Sequence, residues 1–514
     1  MFDASTLQAT ITELKAQLGQ RDARIYALTA EVLRLRRWRF GRSSESIDPT
    51  IAPELPLSGG QQSDVSVVAT TSAADKTERL PRLASVDTPA ATRRPARTLP
   101  AELPRVTHRH TPATCDCPQC GGHMRTLGED VSEQLDYVPG YFQVIRHVRP
   151  RLACIACTRI VQAAAPSRPI ERGLPTAGLL AQVISAKYAD HCPLYRQSGI
   201  YRRSGLELPR TLLASWIRET AQLLDPLVQS LERYVMGASK LHADDTPVPV
   251  LEPGKGRTRT ARLWAYVRDD RPAAGPDPPA VLYRYSPDRR GEHPQSHLRA
   301  FTGTLQADGY GGFAALYRDG RVHEAACWAH ARRKFFDVYA ADRSPTAAEA
   351  LRRIGTLYDI ERKIRGRTPA ERAAHRQAHA VPVVSELYAW MNQLLRTVSV
   401  KSPLGAALQY SLARWQALGR YLTDGRIEID NNAAERAIRA LVLGRRNYLF
   451  AGSDGGGENA ARLYSLIGTC RLNNIDPYHY LRTVLERIAE HPINRIEHLL
   501  PWRLDLEVPA ARAA

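Results

Sequence analysis

Nowhere in the 514 residues do eighteen apolar side chains run together, so no membrane-spanning helix and no membrane partner is expected. Lysine is scarce, with eight among the 71 basic residues, and the other 63 are arginine. No GxxxxGKS/T segment is present to cradle a triphosphate, so "SDGGGEN" reads as a glycine-rich turn before a helix, and no GxSxG elbow holds a nucleophilic serine. Eight cysteines are too few for a disulfide framework in a chain this long, and four fall in two CxxC pairs. That usage fits a reducing cytoplasm and one metal site. The opening "MFDASTLQATITELKAQL" is polar-periodic and carries acids, unlike a secretory leader.

What is present is basic. A formal net charge of +18 points to a polyanionic partner, nucleic acid first, and the planar arginine fork suits phosphates and base edges. A GC-rich genome would also favour arginine, which halves the weight of that preference. Apolar residues at 43% suffice for real cores, and the length implies three or four units rather than one.

Two seven-residue series, Leu7, Leu14, Leu28, Leu35 and Ile11, Leu18, Ile25, Val32, read as a two-stranded coiled coil over 1–40 and predict self-association. Residues 41–105, rich in Ser, Thr, Ala and Pro, form a flexible linker. Residues 106–165 carry Cys117, Cys120, Cys154 and Cys157, four thiolates that suit one structural Zn²⁺; Cys115 is an extra thiol nearby, and Cys192, Cys327 and Cys470 are isolated core residues. Residues 166–235 turn helical, with two or three helices broken near Pro193 and between Gly205 and Pro209, and the unit Leu194 to Trp216 could be a helix-turn-helix. Strands follow in "LHADDTPVPVL", "RLWAYVRDD", "AVLYRYSP", "GTLQADGY" and "RVHEAACWAH". Residues 331–420 are helical again, and 456–514 close with two helices around "NNIDP".

Asp244 and Asp308 each end a short apolar strand, where carboxylates can hold a divalent cation and leave positions open for water and phosphate. Glu435, in "EIDNNAAERAIRALVLGRRNYLF", admits three readings. It completes a capping box if Asn432 is the N-cap, pairs with Arg439 one turn on, or binds metal. His293 and His297 are spaced for a metal, but Pro294 between them favours an exposed turn.

Taken in order, the zipper ending in "LRRWRFGRSSE", the four-cysteine segment, "LHADDTPVPVL", "LQADGYGGF", "EAACWAHARRKFFD", "IEIDNNAAERAIR" and "LFAGSDGGGENAARLYSLIGTCRLNNIDPYHYL" resemble the transposases of the insertion sequence 66 family. The resemblance implies a multidomain α+β protein. Its RNase H-like mixed α/β catalytic core would span 236–455, carry a helical insertion over 331–420, and follow coiled coil, zinc finger and helical DNA-binding domain. It implies an Asp, Asp, Glu triad matching Asp244, Asp308 and Glu435, with Asp245 adjoining the first, and two Mg²⁺ or Mn²⁺ ions for phosphoryl transfer at transposon ends. Arg436, Arg439, Arg445 and Arg446 are then natural phosphate contacts, with Asn431 or Asn432 as caps or supports. Implied partners are terminal inverted repeats, target DNA, a second copy through the zipper and accessory proteins of the same element, in a bacterial, nucleoid-associated setting. The competing function is a catalytically inactive, dimeric, zinc-containing DNA-binding regulator or transpososome scaffold.

Overall fold

The computed structural model describes residues 167–506 except 172 and 253, two short strands before them, and a few isolated positions nearer the N-terminus. The coiled coil and linker expectations, and all five cysteines from Cys115 to Cys157, fall outside the described residues apart from those positions. The chain divides into a larger unit, 1–55 with 146–506, and a smaller one, 56–145 with 507–514, and every element below belongs to the larger. No described helix is long and apolar enough to cross a membrane.

Strand β1 (Arg151–Ala153) pairs antiparallel with β2 (Ile160–Gln162), and the interval between them contains Cys154 and Cys157. Four helices come next: α1 (Ala177–Tyr188), α2 (Leu194–Arg203), α3 (Arg210–Leu223) and α4 (Asp225–Met236). Pro193 and Pro209 stand at the N-caps of α2 and α3. The fourth helix exceeds the two or three expected because Pro226 lies in the first turn of α4, where a missing N–H leaves no bond unmade, so the chain restarts at once after Leu224. Residues 204–209 join α2 to α3, with Gly205 at φ +82°, a longer connection than the three or four residues of a helix-turn-helix corner.

The sheet holds five strands: β3 (Lys240–Glu252), β4 (Arg257–Arg268), β5 (Ala280–Ser286), β6 (Gly303–Ala307) and β7 (Val322–Ala326), in the order β5-β4-β3-β6-β7. The first three form an antiparallel meander; β6 runs parallel to β3, and β7 parallel to β6. Between β5 and β6 lies α5 (Glu292–His297), and between β6 and β7 lies α6 (Ala314–Arg318). His293 and His297 therefore sit on a short helix, not an exposed turn: Pro294 falls in its first turn, and His297 Nδ1 meets the Tyr266 hydroxyl at 3.0 Å.

Helices α7 (Trp328–Asp342), α8 (Pro345–Ile364), α9 (Pro369–Leu395), α10 (Pro403–Ala413) and α11 (Trp415–Gly419) fill the interval after β7 and enclose a second core around Trp328, Phe335, Leu351, Leu387 and Leu408. The chain then returns through residues 420–431 to α12 (Asn432–Tyr448), α13 (Asp454–Leu472) and α14 (Pro477–Arg487), which share one core with α1–α4 and the sheet. Gly455, Gly456 and Gly457 are the first turn of α13 rather than a turn before it. Ser453 caps that turn by accepting from Gly456 N, and a Cβ on Gly457 would stand 2.4 Å from the Tyr285 ring. The close approach lets Ser465 and Thr469 of α13 accept from the backbone N–H groups of Tyr283 and Val281, satisfying the edge strand β5 with side chains.

A candidate acidic centre on neighbouring parallel strands

In the β3/β6 ladder Lys240 faces Thr304 and His242 faces Gln306, and the same register sets Asp244 level with Asp308, just past the last residue of β6. Successive strand residues point to opposite faces, so Asp244 and Asp245 have different surroundings. Asp245 is buried between Arg262 at 3.0 Å and Arg289 at 2.9 Å. Asp244 pairs with no cation among the described residues: burial chiefly, opposed by a 2.7 Å bond from Asp245 N and reinforced by Asp308, Asp245 and Glu435, pushes its carboxyl up to about 7. Carboxylates from the end of β6 and the first turn of α12 therefore act on Asp244 of β3 from 64 and 191 residues further along the chain, Asp308 and Glu435 respectively.

The placing of Glu435 is a matter of side-chain bonds. Asn431 is fully buried; its Nδ2 donates to Ala243 O at 2.8 Å, and its Oδ1 lies 3.1 Å from His242 Nδ1. That amide orientation requires the His242 proton on Nδ1, and burial, with Lys240 adding, holds the ring neutral by lowering its pKa to about 3. Asn431 is also the N-cap position of α12, but its side chain makes no cap bond because the sheet has claimed it. The capping box on Asn432 does not form either: Asn432 is the first helical residue, and Asp430 accepts from its backbone N–H at 3.1 Å. Glu435 lies 3.8 Å from His330 Nε2, a loose contact with a ring whose pKa burial lowers, and pairs with Arg439 in no ion pair among the described residues.

Residues 426–431 are pinned upstream as well. The Gln306 amide bonds both backbone groups of Glu428, Lys240 Nζ donates to Arg426 O at 2.9 Å, and Trp328 N donates to Ile429 O at 3.1 Å. Arg436, Arg439 and Arg446 are exposed on α12. Arg445 differs: its guanidinium donates to Thr246 Oγ1 at 3.2 Å and to Pro247 O, tying α12 to β3.

The start of α7 adds residues that the sequence alone does not bring together. Cys327, buried but not an isolated core thiol, is the N-cap of that helix, and one ligand atom each from Cys327, His330 and Glu435 lies within 4.8 Å of the others. Burial lowers the His330 pKa against the pull of Glu435 and Asp308, which places the ring beside the acids. The signal available was the C-x-x-H spacing in "CWAH".

The sequence profile described as Transposase IS66 family matches residues 172–459, from α1 through the acidic centre into α13. The chain belongs to the IS66 transposase family. Profiles for the IS66 C-terminal element, the zinc-finger binding domain of transposase IS66 and the region described as Transposase C of IS166 homeodomain match 465–502, 114–158 and 27–107. The chain is 39% identical over 503 residues to the uncharacterized protein y4qI of Sinorhizobium fredii (strain NBRC 101917 / NGR234), covering 96% of this chain and 92% of that one. It is 38% identical over 502 residues to y4jD of the same strain, covering 95% and 97%, and 42% identical over 408 residues to y4hP, covering 76% and 73%. The zinc-finger match assigns a structural zinc segment to 114–158 at the level of the family.

Proposed function

We propose that this transposase-family chain cuts transposon ends and joins them to target DNA by phosphoryl transfer on an RNase H-like core, with Asp244, Asp308 and Glu435 as its acidic triad. The observation that carries the reading is the level placing of Asp244 and Asp308 on the parallel β3/β6 pair, with Glu435 near enough to help raise the largely buried Asp244 carboxyl, which pairs with no cation among the described residues. Such a donor set, all oxygen and anionic, fits Mg²⁺ or Mn²⁺. Asp244, Asp308 and Glu435 would hold two such ions, which when bound supply charge neutralisation and activation of water or a 3′-hydroxyl. An antiparallel meander extended by two parallel strands supports the RNase H-like assignment, with α7–α11 as the helical insertion.

Around the acids, this chain's residues orient and neutralise. Arg262 and Arg289 hold Asp245 out of the acidic centre, so Asp244 is the first acid. Asn431 fixes the start of α12 and thereby Glu435, while Arg436, Arg439 and Arg446 face solvent where phosphates would lie. Cys117, Cys120, Cys154 and Cys157 hold the structural Zn²⁺, the N-terminal heptads join two copies, and the helices of 166–235 add DNA contacts. Terminal repeats, target DNA and the element's accessory proteins complete the partners.

The test is strand cleavage and joining on a plasmid carrying the element's ends with Mg²⁺. Wild type should cut, and Asp308→Asn and Glu435→Gln should lose cutting while keeping their thermal unfolding profiles. Equal activity in all three would sink the triad, and DNA binding by a wild type that never cuts would favour the regulator.

A further inference from the structure

We propose that Cys327, His330 and Glu435 form a binding site for a borderline-soft divalent cation of the Zn²⁺ class, and that a cation held there draws Glu435 away from Asp244 and Asp308. The binding half stands on geometry alone; the inhibitory half rests on the triad reading above.

The three ligand atoms lie within 4.8 Å of one another, and His330 Nε2 is 3.8 Å from Glu435 Oε1. Bonds of about 2.0–2.3 Å in a tetrahedral zinc site put ligand atoms roughly 3.3–3.6 Å apart, so the cluster closes onto an ion with shifts of about an ångström. The sequence supplies this from one short motif and one distant residue. Cys327 ends the approach from β7 and His330 sits in the first turn of α7, while Glu435 arrives on the first turn of α12.

Two features point to a ligand rather than to packing. Sulfur Sγ of Cys327 accepts the Asn431 backbone N–H at 3.2 Å and stands at the N-terminus of a fifteen-residue helix, both of which favour an anionic sulfur. Burial chiefly, with Asp430 and Glu435 adding, pushes this thiol far up, so the metal-free residue carries its proton, which binding would release to solvent. The second feature is His330 itself: Nδ1 is buried with no hydrogen-bond partner, and Nε2 has only the loose contact with Glu435. A buried ring nitrogen without a hydrogen bond is uncommon; a cation taken through Nδ1 would satisfy it, and one taken through Nε2 would displace only the loose contact.

The donor set chooses the ion. Sulfur and imidazole select Zn²⁺ over Mg²⁺, whereas the Asp244, Asp308 and Glu435 oxygens do the reverse. Glu435 belongs to both sets, and whatever oxygen it gives a Zn²⁺ beside Cys327 and His330 is withdrawn from the Asp244 and Asp308 side. The His330 and Glu435 side chains are 26% and 29% exposed, which leaves an open side for entry and for water as a fourth ligand.

The experiment compares full-length wild type, Cys327→Ser and His330→Gln after equilibration with micromolar free Zn²⁺, reading bound zinc per chain and thermal unfolding. Wild type should hold one more equivalent than either variant, since the four-cysteine segment loads in all three. His330 is partly exposed, so its variant keeps the test valid if the buried Cys327→Ser fails to fold. Equal zinc in wild type and His330→Gln overturns the proposal. In plasmid cleavage with Mg²⁺, the zinc concentration for half inhibition should rise at least tenfold in the variants; an unchanged value with altered zinc content would overturn the inhibitory half. A zinc difference in a wild type that never cuts would leave this site standing and remove the triad reading instead.

Discussion

Replacing Asp244 by asparagine should stabilise the protein in the absence of divalent metal while abolishing DNA cutting. Burial, offset in part by the bond from Asp245 N and increased by Asp308, Asp245 and Glu435, raises its carboxyl from 3.8 to about 7. That separation of about three pH units corresponds to roughly 4 kcal/mol between the protonation states. The folded value lies above the unfolded one, so the folded state holds the proton more tightly. The associated stability is present below about pH 4 and is lost as pH rises through about 7. At pH 8 the wild type carries a buried, repelled carboxylate, whereas an amide keeps the shape and still accepts from Asp245 N. Urea unfolding followed by fluorescence, with Mg²⁺ and Mn²⁺ omitted, should show the variant ahead by up to roughly 4 kcal/mol at pH 8 and by about half that or less at pH 5. Adding Mg²⁺ should then raise the wild-type midpoint, by about 2.7 kcal/mol at a hundredfold excess over its dissociation constant, and leave the variant's nearly still. A variant no more stable than wild type at pH 8, or a gap indifferent to pH, would refute the reasoning.

Arg445→Ala should lower stability by roughly 1.5–3 kcal/mol in urea unfolding and leave the salt slope of DNA binding unchanged, because its guanidinium is bonded to Thr246 and Pro247. Arg436→Ala, Arg439→Ala and Arg446→Ala should each do the opposite, reducing the slope by about one with the unfolding midpoint intact. Arg376→Ala should lose about 3 kcal/mol by the same unfolding assay, since it removes the fully buried arginine that meets Glu361 at 2.7 Å and leaves that carboxylate only Arg372 at 3.3 Å. Gly457→Ala, whose Cβ would meet Tyr285 at 2.4 Å, should cost about 1–3 kcal/mol in thermal unfolding. Gly455→Ala, with nothing nearer than 4.0 Å, should gain up to about 1 kcal/mol instead.

The strands were legible as apolar stretches bounded by turn formers, and Asp308 does follow the last residue of β6, but Asp244 does not end its strand: β3 runs on through it to Glu252 because its partner β4 pairs with it along that whole length. Register is what brings the two acids level, and register follows from pairing, which a single strand does not carry. Asn431 was half legible. Local rules make an asparagine before a helix a cap, yet its side chain serves His242 and Ala243, nearly 190 residues away in sequence. Glycines in "SDGGGEN" suggested a turn by propensity, but the packing of α13 on β5 overrides propensity, since only a bare Cα fits against Tyr285. Cys327 read as one thiol among isolated ones because its neighbour Glu435 arrives only after the whole helical block.

That block is coupled to the acids rather than merely inserted before them. Arg376 on α9 bonds Glu361 on α8 and the carbonyls of Tyr421 and Asp424, while Arg372 reaches both Glu361 and Glu428. Burial would raise Glu428, but Arg372 and Lys240 hold it below the ordinary range, so it stays charged between the α7–α11 core and the sheet. Buried ion pairs of this kind add little net stability over apolar packing, but they fix one geometry, because any other leaves a charge unmatched. Here the geometry fixed is the path of residues 420–431, and that path ends at Asn431, four residues before Glu435. The α7–α11 core therefore sets where the third carboxylate stands, and changes deep within it should reach the acidic centre through this segment.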